Sequence, residues 1–193
     1  MGECSEAGYN RGGKFTIRQS PTGVKQTSGP YDRSQIMHNI REARRADAPT
    51  IVDFNCRMAW ETEQKRLDPT KITPGVAAVL ERPELGRYFV AEGSASSRPE
   101  VIGQLMITYE WSDWRNGLFW WIQSVYVRED ARGRGVFRAL YEHVERLARA
   151  DSGSCGLRLY VEHANERAQS VYRKLGMKPS DYVFYELDWS AAK

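Results

Sequence analysis

Residues 122–149 read IQSVYVREDARGRGVFRALYEHVERLAR, and the reading of this stretch decides the fold. It opens on an apolar run in which Val125, Tyr126 and Val127 stand together as in a β-strand. It closes on a helical period, with Phe137, Leu140, Tyr141, Val144 and Leu147 recurring at three- and four-residue steps. Between them lies Arg132-Gly133-Arg134-Gly135-Val136, a tight turn at the point where the helix begins. Glycines let the backbone bend without a Cβ clash, so successive N–H groups can face one concavity. The helix N-terminus adds partial positive charge and the arginines add full charges. Strand, turn and helix together predict a site for a phosphate or pyrophosphate. The competing reading is an ordinary strand–helix connection whose arginines are merely solvated.

Composition narrows the classes. At 193 residues the chain suits one domain with a sizeable core. Apolar residues at 41% and charged residues at 27% are ordinary for a soluble globular protein. No apolar run approaches the roughly 18 residues that span a bilayer. The first residues, MGECSEAGYNRGGK, lack the apolar core of a signal peptide, so a cytoplasmic location is expected. Cys4, Cys56 and Cys155 are widely spaced and odd in number, which fits reduced thiols better than a disulfide framework. His38, His143 and His163 show no ligand spacing, and no metal is expected. A net charge of +3 does not by itself point to nucleic acid, and no aromatic-basic RNA motif appears.

Outward from the turn, the elements follow in both directions. Residues 1–36 are rich in Gly, Ser, Thr, Lys and Arg and read as a flexible N-terminal arm, leaving 37–193 as a single domain. Residues 37–42 (MHNIRE) predict a first strand with Met37 and Ile40 turned inward. Asp47 caps a helix that has Pro49 in its first turn and runs through Trp60 towards Arg66. A second helix is expected from Pro74 to Glu81. Three strands follow, at 88–92, 101–109 and 118–127, with a bend or bulge at Gly103 and a turn at Asn116-Gly117. Short loops make them an antiparallel meander. After the Gly/Arg turn and its helix, a strand at 156–162 implies a parallel crossover, hence a mixed sheet. A short helix from Asn165 to Leu175 is closed by Gly176, and YVFYEL at 182–187 supplies a last strand or hairpin. No internal repeat is present.

Two anchors now stand in order. One is Arg132-Gly133-Arg134-Gly135-Val136-Phe137; the other is the segment NERAQSVYRKLGM at 165–177. Together they resemble the acyl-CoA loop and the later Asn/Ala/Tyr helix of the GNAT N-acetyltransferase superfamily, over about residues 37–188. The resemblance implies an α/β fold of the α+β type: a mixed, mostly antiparallel twisted sheet of six to seven strands flanked by about four helices. It implies acetyl-CoA as cosubstrate, with Arg132, Gly133, Arg134, Gly135 and Val136 lining the pyrophosphate turn. Val125, Tyr126 and Val127 would border the pantetheine arm, Val125 and Val127 through backbone groups. Asn165 would hydrogen-bond the pantetheine or the chain around it, and Tyr172 would serve as general acid for the departing thiolate. A backbone N–H near Val127 would stabilise charge on the thioester oxygen. One position departs from the family pattern: Phe137 stands where the loop motif has Gly or Ala, so its ring must turn into the core.

The acceptor side is less determined. The segment 107–127 is loosely similar to the diamine acetyltransferase branch, but Gln123-Ser124 replaces that branch's acidic pair, which weakens a polyamine reading. Candidate bases are Glu110, Glu162 and His163, each also readable as a solvated strand-end residue. Trp111, Trp114, Trp120 and Trp121 could wall an acceptor site or simply pack on the sheet. The expected activity is acetyl transfer to a primary amine, first of a small molecule, with a peptide or protein amine as alternative. A non-catalytic acyl-CoA-binding module is the competing class. The final strand and the aromatics leave a homodimer open, with no membrane or nucleic-acid partner expected.

Overall fold

The computed structural model describes residues 38–93 and 99–189. The proposed arm at 1–36, Met37 and Cys4 lie outside the described residues. The element order is β1 (Asn39–Glu42), α1 (Ala48–Glu63), α2 (Pro69–Glu81), β2 (Arg87–Gly93), β3 (Glu100–Ser112), β4 (Gly117–Val127), α3 (Val136–Ala150), β5 (Ser154–Leu159) and α4 (Glu166–Lys174). The five strands form one sheet in the order β1-β2-β3-β4-β5. Pairing is antiparallel from β1 to β4 and parallel between β4 and β5. The meander and the parallel crossover are as the sequence predicts.

The strand count is not. Among the described residues five strands stand where six to seven were expected, and 182–187 forms no strand. YVFYEL has the apolar character of a strand, but its first main-chain donor is diverted: the Tyr182 N–H bonds to the Ser180 hydroxyl at 3.0 Å. Its contact with the sheet is ring on ring, Phe184 lying 4.7 Å from Tyr160, rather than a hydrogen-bonded ladder. The segment consequently leaves Tyr182, Val183, Tyr185 and Leu187 exposed.

Helix ends also differ from expectation. α2 starts at Pro69, five residues before Pro74. Asp68 caps it, its carboxylate accepting from the Thr70 N–H at 2.8 Å, and Pro69 takes the first helical position where no donor is missed. Pro74 sits inside the helix. Asp47 precedes α1 but makes no side-chain cap to it. Its carboxylate instead accepts from both terminal nitrogens of Arg41 (2.7 and 3.0 Å) and from the Arg44 N–H (2.6 Å).

This arrangement ties β1 to the start of α1, and Arg41 continues it to Glu92 on β2. The Arg41 guanidinium holds the Asp47 carboxyl below its ordinary range, against the opposing pull of burial. Stability from a depressed carboxylate is present above its unfolded value of about 3.9 and is lost as pH falls through the lower folded value. Asp47→Asn is therefore expected to cost about 1.5–3 kcal/mol in urea unfolding at pH 7. The gap from wild type should narrow below about pH 4; a gap that does not change with pH would remove the charge from this account.

Helices cover both faces of the sheet. α3 lies on one, burying Val136, Leu140, Tyr141 and Val144 against Phe89, Leu105, Ile107, Trp120 and Ile122. Each such side chain contributes roughly 1.5–3 kcal/mol when fully buried. The other face takes a second cluster: Ile51 of α1 and Val76 of α2 against Tyr88 and Val90 of β2. Gly103 is explained by the first face. A Cβ there would come 2.9 Å from the Val136 side chain, so only glycine lets the first turn of α3 sit this close to β3. A bulge beside it shifts the β2–β3 register between Ala91 and Glu92. The close approach fixes where α3 begins, and with it the Gly/Arg turn.

Candidate active site

The site begins where two paired strands part. β4 and β5 pair from Leu118↔Ser154 to Ile122↔Leu159, and there β5 ends. β4 continues to Val127, so residues 123–127 have no partner on that side among the described residues. Main-chain groups alternate sides along a strand. The Arg128 N–H points to β3, bonding Ile102 O at 2.9 Å. By that alternation the N–H and C=O of Val125 and Val127 turn into the gap. The Arg132 side chain takes the Val127 carbonyl at 2.9 Å, which leaves the two N–H groups and the Val125 carbonyl as a ladder edge of the kind an amide-containing arm can bond.

The turn follows directly. Gly133 and Gly135 have φ of +76° and +83°, and a Cβ on either would meet nothing within 4 Å. Left-handed backbone at both positions is what glycine permits and what a side chain would obstruct. The result is an open concavity at the N-terminus of α3, whose first-turn N–H groups have no intrahelical acceptor. His38, just before β1, donates from Nε2 to the Arg134 carbonyl at 2.9 Å and braces the turn.

The two loop arginines behave differently. Arg134 is exposed. Arg132 points back: its Nε donates to Val127 O at 2.9 Å and its Nη2 to Glu61 of α1 at 2.5 Å. Tyr126 donates its hydroxyl to the same Glu61 at 2.9 Å. Burial alone would raise the Glu61 carboxyl, but these two hydrogen bonds bring it below its ordinary range. Arg132 thus joins the end of β4 to α1, a role the sequence did not reveal because Glu61 is 71 residues away.

α4 closes the same side as α3. Asn165 is its N-cap, with Oδ1 accepting from the Ala168 N–H at 3.0 Å. Leu175 and Met177 pack against the α3-side core. Tyr172 is partly buried, and that burial pushes its phenol above the ordinary value. Phe137 is the partner that accounts for its own irregularity. Its ring meets Tyr172 edge-on at 6.0 Å and lies 6.3 Å from Tyr141, so it packs inward and leaves the turn clear.

On the opposite face, α1 reaches β4 near Tyr126, whose ring is 5.0 Å from Phe54. Beyond that cover a cavity of about 410 Å³ is lined by Thr108, Tyr109, Glu110, Trp121, Gln123, Arg158 and Tyr160. Gln123 is the first β4 residue past the last β5 pair, so the cavity reaches the point where the strands part. Gln123 donates to the Thr108 hydroxyl at 2.8 Å, and Arg158 donates to Glu110 at 2.6 Å. Of the candidate bases, Glu110 lines this cavity. Glu162 and His163 are exposed beyond β5, their main-chain carbonyls accepting from the Gln169 side chain at 3.1 and 2.9 Å, and neither lines it. Of the four tryptophans, Trp121 is in the wall, Trp120 is in the core, and Trp111 and Trp114 are exposed. Arg158, Thr108 and Tyr160 were not singled out from sequence. Strand alternation carries the signal: with Leu157 and Leu159 in the α3-side core, Arg158 must face the other way, opposite Trp121.

No group of three His, Cys, Asp or Glu side chains is placed to hold a metal among the described residues, and Cys56 and Cys155 are free thiols. No described helix is long and apolar enough to cross a membrane.

Comparison with known proteins bears on this geometry. The model of the Acetyltransferase (GNAT) family matches residues 39–177. The crystal structure of a possible acetyltransferase from Clostridium difficile 630 is 43% identical, with a TM-score of 0.72, covering 79% of this chain and 97% of that one. Two more distant structures share the fold. A ribosomal-protein-alanine N-acetyltransferase from Brucella melitensis biovar Abortus 2308 is 16% identical, with a TM-score of 0.63, covering 79% of this chain and 99% of that one. An aminoglycoside N-acetyltransferase in complex with CoA is 15% identical, with a TM-score of 0.63, covering 79% of this chain and 95% of that one. No curated protein gives a match.

Proposed function

Since the chain belongs to the GNAT acetyltransferase family and is an acyltransferase, we propose that it moves an acetyl group from acetyl-CoA to the primary amine of a small molecule held in the β3–β4–β5 cavity. The observation that carries this reading is the continuity of three features. The chain runs without a break from Gln123 in the cavity wall, along the edge of β4 that β5 leaves unpaired, to the open glycine turn at 133–135.

Each part has a chemical task. The turn and the α3 N-terminus hold the pyrophosphate through backbone N–H groups, with Arg134 at hand in solvent. Val125 and Val127 hydrogen-bond the pantetheine amides, and a main-chain N–H near Val127 meets the charge that develops on the thioester oxygen. Glu110 takes one proton from the acceptor ammonium. The amine nitrogen then forms the C–N bond as the C–S bond breaks, and Tyr172 gives its proton to the departing thiolate. The second nitrogen proton restores the phenol. The products are the amide, free CoA and one proton released to solvent.

A small acceptor is favoured because the volume beside Trp121 and Tyr160, about 410 Å³ and open on its solvent side, is of small-molecule size. A polyamine fits poorly: Gln123 is already bonded to Thr108, and the cavity carries the Arg158 cation. The test is an acceptor screen over amino acids, polyamines, aminoglycosides and peptides, following thiol release from acetyl-CoA and the acetylated product by mass. Small amines should be acetylated. Turnover confined to folded proteins or peptides would place the acceptor elsewhere.

A further inference from the structure

The cavity contains one cation and one anion, Arg158 and Glu110, and its other lining residues are neutral. The two face each other end-on, through Nη1 and Oε1 at 2.6 Å. Their settings are unequal. The Arg158 guanidinium lies 3.7 Å from the centroid of the Phe119 ring and 5.8 Å from that of Trp121, on a strand locked in parallel pairing with β4. A guanidinium stacked on aromatic faces is held flat, and its planar fork suits a carboxylate gripped through two nitrogens. Glu110 stands near the outer end of β3 with a side chain 42% exposed, so its carboxylate is free to swing.

We infer that the acceptor is an amino-carboxylate, a free amino acid or a comparably small α-amino acid derivative, whose carboxylate displaces Glu110 from Arg158. This rests on the acceptor occupying that cavity. The incoming carboxylate takes the guanidinium fork, and the released Glu110 carboxylate is left beside the acceptor's ammonium. One charge pair is exchanged for two, so each charge in the cavity keeps a partner, whereas a simple amine entering the same space would bring a second cation to the Arg158–Glu110 pair and no anion. The aromatic walls of Trp121 and Tyr160, 4.5 Å apart by ring centroids, suit an apolar or aromatic body on the acceptor. Displacing Glu110 also times the chemistry: the residue proposed to take the ammonium proton is freed by the acceptor's own carboxylate.

The experiment compares matched pairs, phenylalanine with phenethylamine and lysine with cadaverine, on wild type, Arg158→Gln and Arg158→Lys. Acetyl-CoA affinity is measured on each protein by calorimetry and folding by thermal melting. In wild type the carboxylated member of a pair should have the higher kcat/KM by about tenfold or more. Arg158→Gln should abolish that preference, mainly through KM and with acetyl-CoA affinity retained, and Arg158→Lys should restore part of it. Equal or better use of the decarboxylated amines by wild type would overturn the inference, as would a preference that survives in Arg158→Gln. Failure of every carboxylated amine to bind CoA-loaded wild type would overturn it too. Failure of acetyl-CoA itself to bind would instead strike at the donor assignment, so the two failures are distinguishable.

Discussion

Tyr172→Phe is expected to lower kcat by about a hundredfold or more while changing acetyl-CoA affinity by less than about threefold. Phenylalanine keeps the ring and its edge-on contact with Phe137 and loses only the hydroxyl, so the fold has little reason to respond. In the proposed mechanism the proton donated to the thiolate is what disappears. Burial raises the Tyr172 phenol above its ordinary value of about 10, so the acid form persists through neutral pH and into the alkaline range. Wild-type kcat should therefore show no loss attributable to this group until pH passes that raised value, and the variant should lack that alkaline limb. Parallel loss of turnover and affinity would mean the side chain supports binding and not proton transfer.

Gly135→Val is expected to weaken acetyl-CoA binding by about 10- to 100-fold, the loss of one or more charge-assisted hydrogen bonds. Two effects add. A β-branched residue at φ +83° costs roughly 1–2 kcal/mol of backbone strain, and its side chain occupies the open face of the turn. The strain should lower Tm by several degrees whatever the space around it, while the side chain on the open face, which meets nothing within 4 Å, should act on ligand affinity. A variant that melts far lower but binds CoA normally would mean the turn is structural and the phosphates sit elsewhere.

The donor side was legible in the sequence because it is local. Residues 122–149 contain the strand, both glycines, both arginines and the amphipathic helix, and no long-range pairing is needed to see that they meet at one turn. The three-stranded meander was legible for a similar reason, short loops with clear turn chemistry such as Asn116, which adopts φ 46°. Where long-range contacts decide, the sequence is weaker. YVFYEL carries the apolar pattern of a strand, but a strand exists only if a neighbour accepts its ladder, and here a side-chain stack on Tyr160 takes that place. Pro74 looked like a helix start because proline usually marks one; the actual start at Pro69 is set by the Asp68 cap.

The cavity proposed for the acceptor was the least legible part. Thr108, Trp121 and Arg158 come from three strands and meet only because the registers of β3–β4 and β4–β5 place them in one row. Trp121 and Glu110 could be named from sequence as an acceptor wall and a base, but not as neighbours. Arg158 was invisible until its facing direction was known. Glu61 likewise acquires a role only through the fold, which brings α1 to Arg132 at the edge of the turn.

The most direct test of the account is a crystal structure of the protein with CoA. The pyrophosphate is expected on the backbone N–H groups of residues 133–136 and the pantetheine along Val125 and Val127. The thiol sulfur is expected within hydrogen-bonding reach of the Tyr172 hydroxyl, at the edge of the cavity lined by Glu110 and Arg158. CoA bound away from the turn, or a sulfur remote from Tyr172, would contradict it.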